Sequence, residues 1–207
     1  MSAGAESAIK RGALETDAEI LEAFRDTGAL LEGHFLLRSG LHSRQYFQCA
    51  LVLQYPRHAE RLCGALAAKL YPAPSGVKDT GAQTVVSPAM GGLLVGHEVA
   101  RALGLRHVFV EKDAAGNLEL RRNFEIAGKA IVVEDVITKG GRVQETIDIV
   151  RKHGGEVVAV GTLVDRSEGK VNFGVRLESL LRLPVETFEP AACPMCKAGQ
   201  PVVKPGS

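Results

Sequence analysis

Runs of Val and Ile that alternate with helical segments between Thr84 and Asp165 constrain the fold more than any other feature. The runs are TVVS, RHVFVEK, KAIVVEDV and EVVAVGTLVD, and helical segments follow the first and the third. Their apolar residues are continuous, which is typical of parallel strands covered on both faces. Strands and helices in this order predict an α/β fold with right-handed crossovers. Because ligands bind beyond the carboxyl ends of such strands, we expect the site in the segments SPAMGG, EKD, EDVITKGG and DRSEG.

The residues before this sheet predict an attached N-terminal part. Thr16 and Asp17 are typical of a helix start, and Gly28 predicts its end. Residues 33–50 lack a helical period and predict strands and turns. Pro56 suits the first turn of a second helix. We therefore predict a single domain with three parts: an N-terminal helix and strand segment at 1–55, an α/β core at 56–183 and a tail at 184–207.

Composition excludes several classes of partner. Of 207 residues, 45% are hydrophobic, and the formal net charge is +1. This charge gives no general attraction to nucleic acid or to an anionic membrane. The chain has no apolar run of the roughly 18 residues that a membrane span needs, and its first residues lack the order of a signal peptide. We expect a cytoplasmic protein without nucleic-acid or membrane partners.

The segment EDVITKGG combines acidic and anion-binding features. Glu134 and Asp135 end a buried run and are suited to two vicinal hydroxyls or to magnesium-bound water. Residues 138–141 precede a helix, whose backbone N–H groups and dipole favour a phosphate. Thr138 adds a hydroxyl and Lys139 a positive charge. These features predict a sugar phosphate ligand. The alternative is a polar strand end followed by a cap and a glycine turn.

The common nucleotide-binding motifs are missing from the sequence. Neither G-x-G-x-x-G nor G-x-x-x-x-G-K-[ST] occurs, which argues against a dinucleotide oxidoreductase and a P-loop NTPase.

The segment IVVEDVITKGG instead resembles the phosphoribosyl-diphosphate (PRPP) signature of the type I phosphoribosyltransferases. It departs from that pattern at Lys139 and Arg142, where the family has small residues. Residues 33–48, GHFLLRSGLHSRQYFQ, resemble the N-terminal hood of the orotate-specific members. VVSPAMGG resembles their diphosphate turn, and LVDRSEG resembles their Asp-Arg loop. The resemblance covers roughly residues 30–170 and implies a parallel-sheet type I core flanked by helices, with a small hood.

The resemblance implies a role for each matching residue. Glu134 and Asp135 would bind ribose hydroxyls, with Asp135 catalytic, and Mg²⁺ would be held mainly by the substrates. The implied PRPP contacts are Ala89, Met90, Gly91, Lys112, Glu134, Asp135, Val136, Ile137, Thr138, Lys139, Gly140, Gly141 and Arg142. The implied orotate contacts are Arg38, Tyr46, Phe47, Thr138 and Arg166. The rings of Tyr46 and Phe47 offer a flat face, although an alternating strand would place one of them in the core.

Residues 109–124 correspond to the mobile catalytic loop of that family, which reaches into the partner subunit. The resemblance therefore implies a homodimer with shared active sites and a second catalytic residue, Lys112. A solvated hairpin tip is the alternative. The implied reaction is transfer of the phosphoribosyl group from PRPP to orotate. Two rival functions are another type I phosphoribosyltransferase and a non-catalytic PRPP sensor that regulates transcription.

The tail carries one further motif, CPMC, at Cys193 and Cys196. A C-x-x-C pair is typical of half a zinc site or of a redox pair. Cys49 and Cys63 are not spaced as a second half. The pair is therefore interpreted as structural or incidental, with metal binding as the alternative. The histidines, including His42, show no clustered ligand spacing and receive no role.

Overall fold

The computed structural model describes residues 16–37, 39–71, 81–184 and 186–205. Arg38 therefore lies outside the described residues. The helices are α1 (Asp17–Asp26), α2 (Cys49–Leu53), α3 (Pro56–Leu70), α4 (Gly91–Leu103), α5 (Gly141–Lys152) and α6 (Pro194–Lys197). The strands are β1 (Leu30–Leu36), β2 (His42–Phe47), β3 (Ala82–Pro88), β4 (Arg106–Lys112), β5 (Leu118–Leu120), β6 (Gly128–Ile137), β7 (Gly155–Asp165), β8 (Arg176–Arg182) and β9 (Thr187–Phe188).

A six-stranded sheet in the order β5-β4-β3-β6-β7-β8 forms the centre of the molecule. Only β5 runs antiparallel to its neighbour in this sheet. Helices α3 and α4 pack on one face and α5 on the other, so β6 contributes Ile131 and Val133 to one apolar core and Val132 to the second. The predicted α/β class and the double coverage of the sheet are confirmed. The four predicted strands correspond to β3, β4, β6 and β7, and the sequence pattern predicts neither β5 nor β8.

The first helix forms where Thr16 and Gly28 predict it. The Thr16 hydroxyl accepts a hydrogen bond from the Glu19 N–H, and the Glu19 carboxylate accepts one from the Thr16 N–H. This reciprocal pair is a capping box. The chain leaves the helix at Gly28 in the left-handed region, with φ of 68°.

A second, three-stranded sheet has the order β1-β2-β9. We call β1 and β2 with their connection the hood, and residues 186–205 the tail. Strand β9 of the tail pairs with β2, and the Leu36 N–H donates to the Val203 carbonyl at 2.8 Å. The tail is therefore part of the hood's own sheet. Cys49 and Ala50, assigned to the strand-and-turn segment, instead begin α2.

None of the helices in the described ranges has the length and apolar character needed to cross a membrane.

Candidate active site

Glu134 and Asp135 lie near the carboxyl end of the central strand β6. The Asp135 N–H donates to Glu134 Oε1 at 3.0 Å, and the Val136 N–H donates to Asp135 Oδ1 at 2.8 Å. Neighbouring strand residues leave the backbone on opposite faces, yet both carboxyl groups reach the first turn of α4. A Cβ added at Gly91 would lie 2.9 Å from Asp135 Oδ1, and one at Gly92 would lie 3.1 Å from Glu134 Oε1. Glycine at these positions makes room for the acid pair.

The acid pair is strongly desolvated. Burial raises the pKa of Glu134 well above its usual range, and the nearby Asp135 charge raises it further. Burial also raises the pKa of Asp135, against the effect of its hydrogen bonds. Hydroxyl donors or a cation at this position would stabilise the ionised carboxyls. The donor set consists of carboxylate oxygens, the ligand type that Mg²⁺ prefers, so these residues fit that ion.

The loop after β6 has the features of an anion site. Gly140 adopts a left-handed conformation, with φ of 74°, and caps the twelve-residue helix α5. A Cβ there would lie 2.9 Å from the Phe173 ring, so the close approach requires glycine. Thr138 and Lys139 are exposed on the loop. The N-terminal N–H groups of α5 thus face a loop that is open to a phosphate.

Arg142, one of the two departures from the family pattern, is engaged on its own helix. Its Nη1 lies 2.7 Å from Glu145 Oε2. Its charge also lowers the pKa of Glu134, although less than burial raises it. Arg142 therefore balances charge around the acid pair and α5.

The turn between β3 and α4 lies at the same edge of the sheet. The Ala89 N–H donates to the Val110 carbonyl at 2.7 Å. The following peptide, Ala89-Met90, is cis, and Met90 is 81% exposed. The three predicted diphosphate contacts, Ala89, Met90 and Gly91, therefore form an open turn beside Asp135.

Lys112 ends β4, two residues beyond Val110, and pairs with Leu118 across a hairpin. The Asn117 N–H donates to Asp113 Oδ1 at 2.8 Å and closes the hairpin turn. Residues 109–124, which resemble the family's mobile loop, thus contain a short hairpin, and a hairpin tip is the alternative given for this segment. Arg122 lies 3.0 Å from Glu111 and stacks over Phe109. Lys112 is exposed near the open turn of Ala89 and Met90.

Arg166 follows β7 and lies between the acid loop and the hood. Its N–H donates to the Ile137 carbonyl at 2.8 Å, and its guanidinium carbon is 6.0 Å from the centre of the Phe47 ring. Burial lowers the pKa of this guanidinium. Among the described residues, its buried Nε has no hydrogen-bond partner. A buried donor without a partner is costly, so an anionic ligand group fits this position.

The two predicted aromatic residues have different environments. Phe47 is 5% exposed and packs edge-on against Phe24 at 5.6 Å. Tyr46 is half-buried and lies 6.0 Å from the Phe35 ring. The alternative, in which an alternating strand places one ring in the core, therefore holds for Phe47. Its ring packs in the core beneath Arg166 and offers no open face to orotate, which corrects the predicted contact.

Two groupings were missed in the sequence. Ser87 Oγ lies 2.8 Å from His107 Nε2, inside the molecule behind the open turn. His34 and His42 lie next to Cys193 and Cys196, which corrects the assignment of no role to His42. Sequence spacing cannot reveal the second grouping, because the hood and the tail are separated by most of the chain. The C-x-x-C motif alone signals half of it.

Comparisons with known proteins give the relatives of this chain. The phosphoribosyl transferase domain family matches residues 53–173. The orotate phosphoribosyltransferase of Desulforamulus reducens is 53% identical over 191 residues, which cover 91% of this chain and 96% of that protein. The crystal structure of the Aeropyrum pernix orotate phosphoribosyltransferase superposes with a TM-score of 0.66 at 25% identity, covering 79% of this chain and 93% of that one.

A PRPP complex is also among the similar structures. The Mycobacterium tuberculosis orotate phosphoribosyltransferase, solved in complex with PRPP, superposes with a TM-score of 0.60 at 25% identity. The alignment covers 80% of this chain and 95% of that one.

Proposed function

This chain belongs to the orotate phosphoribosyltransferase family, and we propose that the edge of the sheet described above carries out that family's reaction. Orotate N1 attacks C1 of PRPP, a C–N bond forms, and the C1–O bond to diphosphate breaks. The N1 proton is lost, and the products are orotidine 5′-phosphate and diphosphate. The geometry supports this reaction because acidic, anion-binding and buried cationic groups converge at one edge.

We assign the ribose and 5′-phosphate to the β6–α5 loop. The Glu134 and Asp135 carboxylates accept hydrogen bonds from the vicinal ribose hydroxyls. Residues 138–141 hold the 5′-phosphate through backbone N–H groups, together with the Thr138 hydroxyl. The acids lie near the end of β6 and this loop leads into α5, so both lie at one edge of the sheet, where one sugar phosphate would meet them. Lys139 adds a positive charge at the phosphate end of the loop.

Charge develops in two places as the C1–O bond breaks. The ribose becomes positive, and the carboxylate of Asp135 stabilises it at short range. The departing diphosphate becomes more negative beside the open turn at Ala89–Gly91, where Lys112 of the partner subunit contributes a positive charge. When bound with PRPP, Mg²⁺ supplies further neutralisation of the diphosphate. The reaction needs no covalent nucleophile from the protein, because diphosphate is already a good leaving group.

The observation that carries the choice of orotate is Arg166. Its side chain is half-buried, and its buried Nε has no hydrogen-bond partner among the described residues, next to the hood strand that holds Tyr46. The orotate carboxylate matches a planar guanidinium fork. Uracil lacks that carboxylate, and hypoxanthine and adenine are purines that lack it as well.

A substrate panel tests the proposal. With PRPP and Mg²⁺, we expect turnover of orotate to exceed that of uracil, hypoxanthine and adenine. Arg166→Lys keeps the charge and loses the fork, so KM for orotate should rise by about tenfold or more while KM for PRPP changes little. Arg151→Ala, on the exposed face of α5, serves as the control. Turnover of a purine in preference to orotate would contradict the assignment.

We further propose a cytoplasmic homodimer in which Lys112 acts in the site of the partner subunit. The support is the exposed position of Lys112 on the β4–β5 hairpin at the edge of the sheet. Light scattering on the purified protein measures the assembly. Mixing Lys112→Ala with Asp135→Asn subunits should restore part of the activity that each variant lacks, because one site in the mixed dimer is then intact. No recovery in a proven mixed dimer would show that each site is complete within one chain.

A further inference from the structure

Two histidines of the hood and two cysteines of the tail form a compact group on the side of the hood that contacts the tail. His34 lies on β1 and His42 on β2, while Cys193 directly precedes the short helix α6 and Cys196 lies within it. One nitrogen or sulfur atom from each residue lies within 4.8 Å of all the others. We propose that this group binds a structural zinc ion, and we call it the His₂Cys₂ cluster.

The distances agree with four ligands around one ion. Cys193 Sγ is 3.6 Å from His34 Nε2, Cys196 Sγ is 3.7 Å from the same nitrogen, and Cys196 Sγ is 3.3 Å from His42 Nδ1. Zinc bond lengths in a tetrahedron place sulfur and nitrogen ligands about 3.5 Å apart. His34 Nε2 and His42 Nδ1 are 2.7 Å apart, and this gap has to widen to roughly 3.3 Å around the ion.

The surroundings orient one imidazole for metal binding. His34 Nδ1 lies 2.9 Å from the Gln200 carbonyl, which can only accept a hydrogen bond. The proton therefore lies on Nδ1, and the lone pair of Nε2 points at the cluster. A ligating histidine whose second nitrogen donates to a carbonyl is the usual arrangement in zinc sites.

The ligand set and its burial select zinc over the ion of the active site. Two thiolates with two imidazoles in a tetrahedron are typical of zinc, whereas Mg²⁺ prefers oxygen. His34, His42 and Cys193 are 4%, 7% and 0% exposed. Cys196 is exposed, so the cluster lies at the surface with three buried ligands, and two thiolates balance the charge of a divalent ion there. Four protein ligands leave no open position for water, so the ion is structural and not catalytic.

The position of the cluster indicates what the ion stabilises. Two backbone hydrogen bonds attach the tail to β1. The Leu36 N–H donates to the Val203 carbonyl and the Val203 N–H donates to the His34 carbonyl, both at 2.8 Å. Strand β9 adds only two paired residues on β2. A zinc ion would bind the tail to both hood strands at once. Strand β2 also carries Tyr46, so the ion would fix the strand that holds this proposed orotate contact.

The experiment measures metal and does not depend on catalysis. The full chain is purified without a histidine tag and its zinc content is determined by mass spectrometry, with stoichiometric zinc expected. After removal of the metal, Co²⁺ is added, and the visible absorption of tetrahedral thiolate-bound cobalt should appear. His42→Gln and Cys196→Ser should each weaken Co²⁺ binding by at least about tenfold. Cys63→Ala and His153→Gln change residues outside the cluster and should leave the cobalt spectrum intact.

The stability of the protein gives a second readout. Chelation of the metal should lower Tm in the parent protein and in the Cys63→Ala control, and should have little effect on Cys196→Ser. A preparation that contains no zinc and gives no cobalt spectrum on reconstitution would overturn the proposal. A Cys193–Cys196 disulfide in protein purified under reducing conditions would also overturn it. Since neither readout uses orotate or PRPP, failure here is separate from failure of the proposed reaction.

Discussion

Gly91→Ala tests whether the position of the Asp135 carboxylate is set by the first turn of α4. A Cβ at Gly91 would lie 2.9 and 3.0 Å from the two Asp135 carboxylate oxygens. Non-bonded carbon and oxygen atoms stay about 3.4 Å apart, so the carboxylate has to move by roughly 0.5 Å. That movement stretches the 2.8 Å hydrogen bond from the Val136 N–H. The substitution therefore displaces a proposed catalytic group without removing it.

The expected loss of activity follows from this displacement. A hydrogen bond to a charged group contributes about 1.5–3 kcal/mol, which corresponds to roughly 10- to 100-fold in rate. Misplacing a catalytic group by about 1 Å costs on the order of a hundredfold, so half that distance gives about tenfold. Both estimates predict that kcat/KM for PRPP falls by about 10- to 100-fold.

Two contributions to stability oppose each other: the weakened hydrogen bond from Val136 lowers the free energy of unfolding, and a better helix residue raises it. Gly91 lies at the start of a helix, where alanine is favoured over glycine by up to about 1 kcal/mol. Gly64→Ala is the matched control, because it lies within α3 and a Cβ there meets nothing within 4 Å. It should raise Tm by about 2–4 °C and leave kinetics unchanged. Steady-state kinetics from the ultraviolet absorbance of orotate, with thermal melting of each variant, provide the measurements. A folded Gly91→Ala protein with parental kcat/KM would refute the role assigned to the Asp135 position.

Three other predictions concern single side chains. Asp135→Asn should lower kcat at least about tenfold without lowering Tm, because burial already disfavours the ionised carboxyl and asparagine keeps the acceptor for Val136; parental kcat would remove Asp135 from the mechanism. Lys112→Ala should lower kcat by about tenfold through loss of positive charge at the diphosphate, with little change in KM for orotate; an unchanged kcat would be inconsistent with that role. Burial lowers the pKa of His107 to about 4, while the pKa in the unfolded chain is about 6.5. Between these pH values the unfolded state binds a proton that the folded state does not. The free energy of unfolding should therefore fall by about 2 kcal/mol as the pH drops from 6.5 to 4. Denaturant titration of His107→Gln should show that loss reduced, and His153→Gln should retain it; equal slopes in all three proteins would contradict the assignment.

The sheet and its order of elements were readable from the sequence because the signals are local. Continuous Val and Ile runs identify strands buried on both faces, and β4 matches its predicted segment RHVFVEK from end to end. The cap at Thr16 and the proline at the start of α3 mark helix starts through interactions within a few residues. The position of the acid pair near the end of β6 and of the glycine loop before α5 was likewise readable, since both lie within ten consecutive residues.

Other features depend on contacts between distant segments. Alternation along β2 left open whether the ring of Tyr46 or that of Phe47 faces the core. Packing against Phe24 shows that it is the ring of Phe47. The two-residue strand β9 forms by pairing with the neighbouring strand β2, and its own composition gives no strand signal. The segment at 109–124 matched a loop by position, but the Asp113–Asn117 turn closes it into a hairpin.

The sequence by itself determined the α/β class and placed the acid pair and the glycine loop of the proposed site at one strand end, because each rests on periodicity or spacing within one segment. The tertiary structure decided which residues meet. It placed Gly91 against Asp135, left the buried Nε of Arg166 facing the hood without a partner among the described residues, and brought His34 and His42 to Cys193 and Cys196. The physical reason is that these neighbours are fixed by strand pairing and helix packing across the fold, which no local pattern encodes.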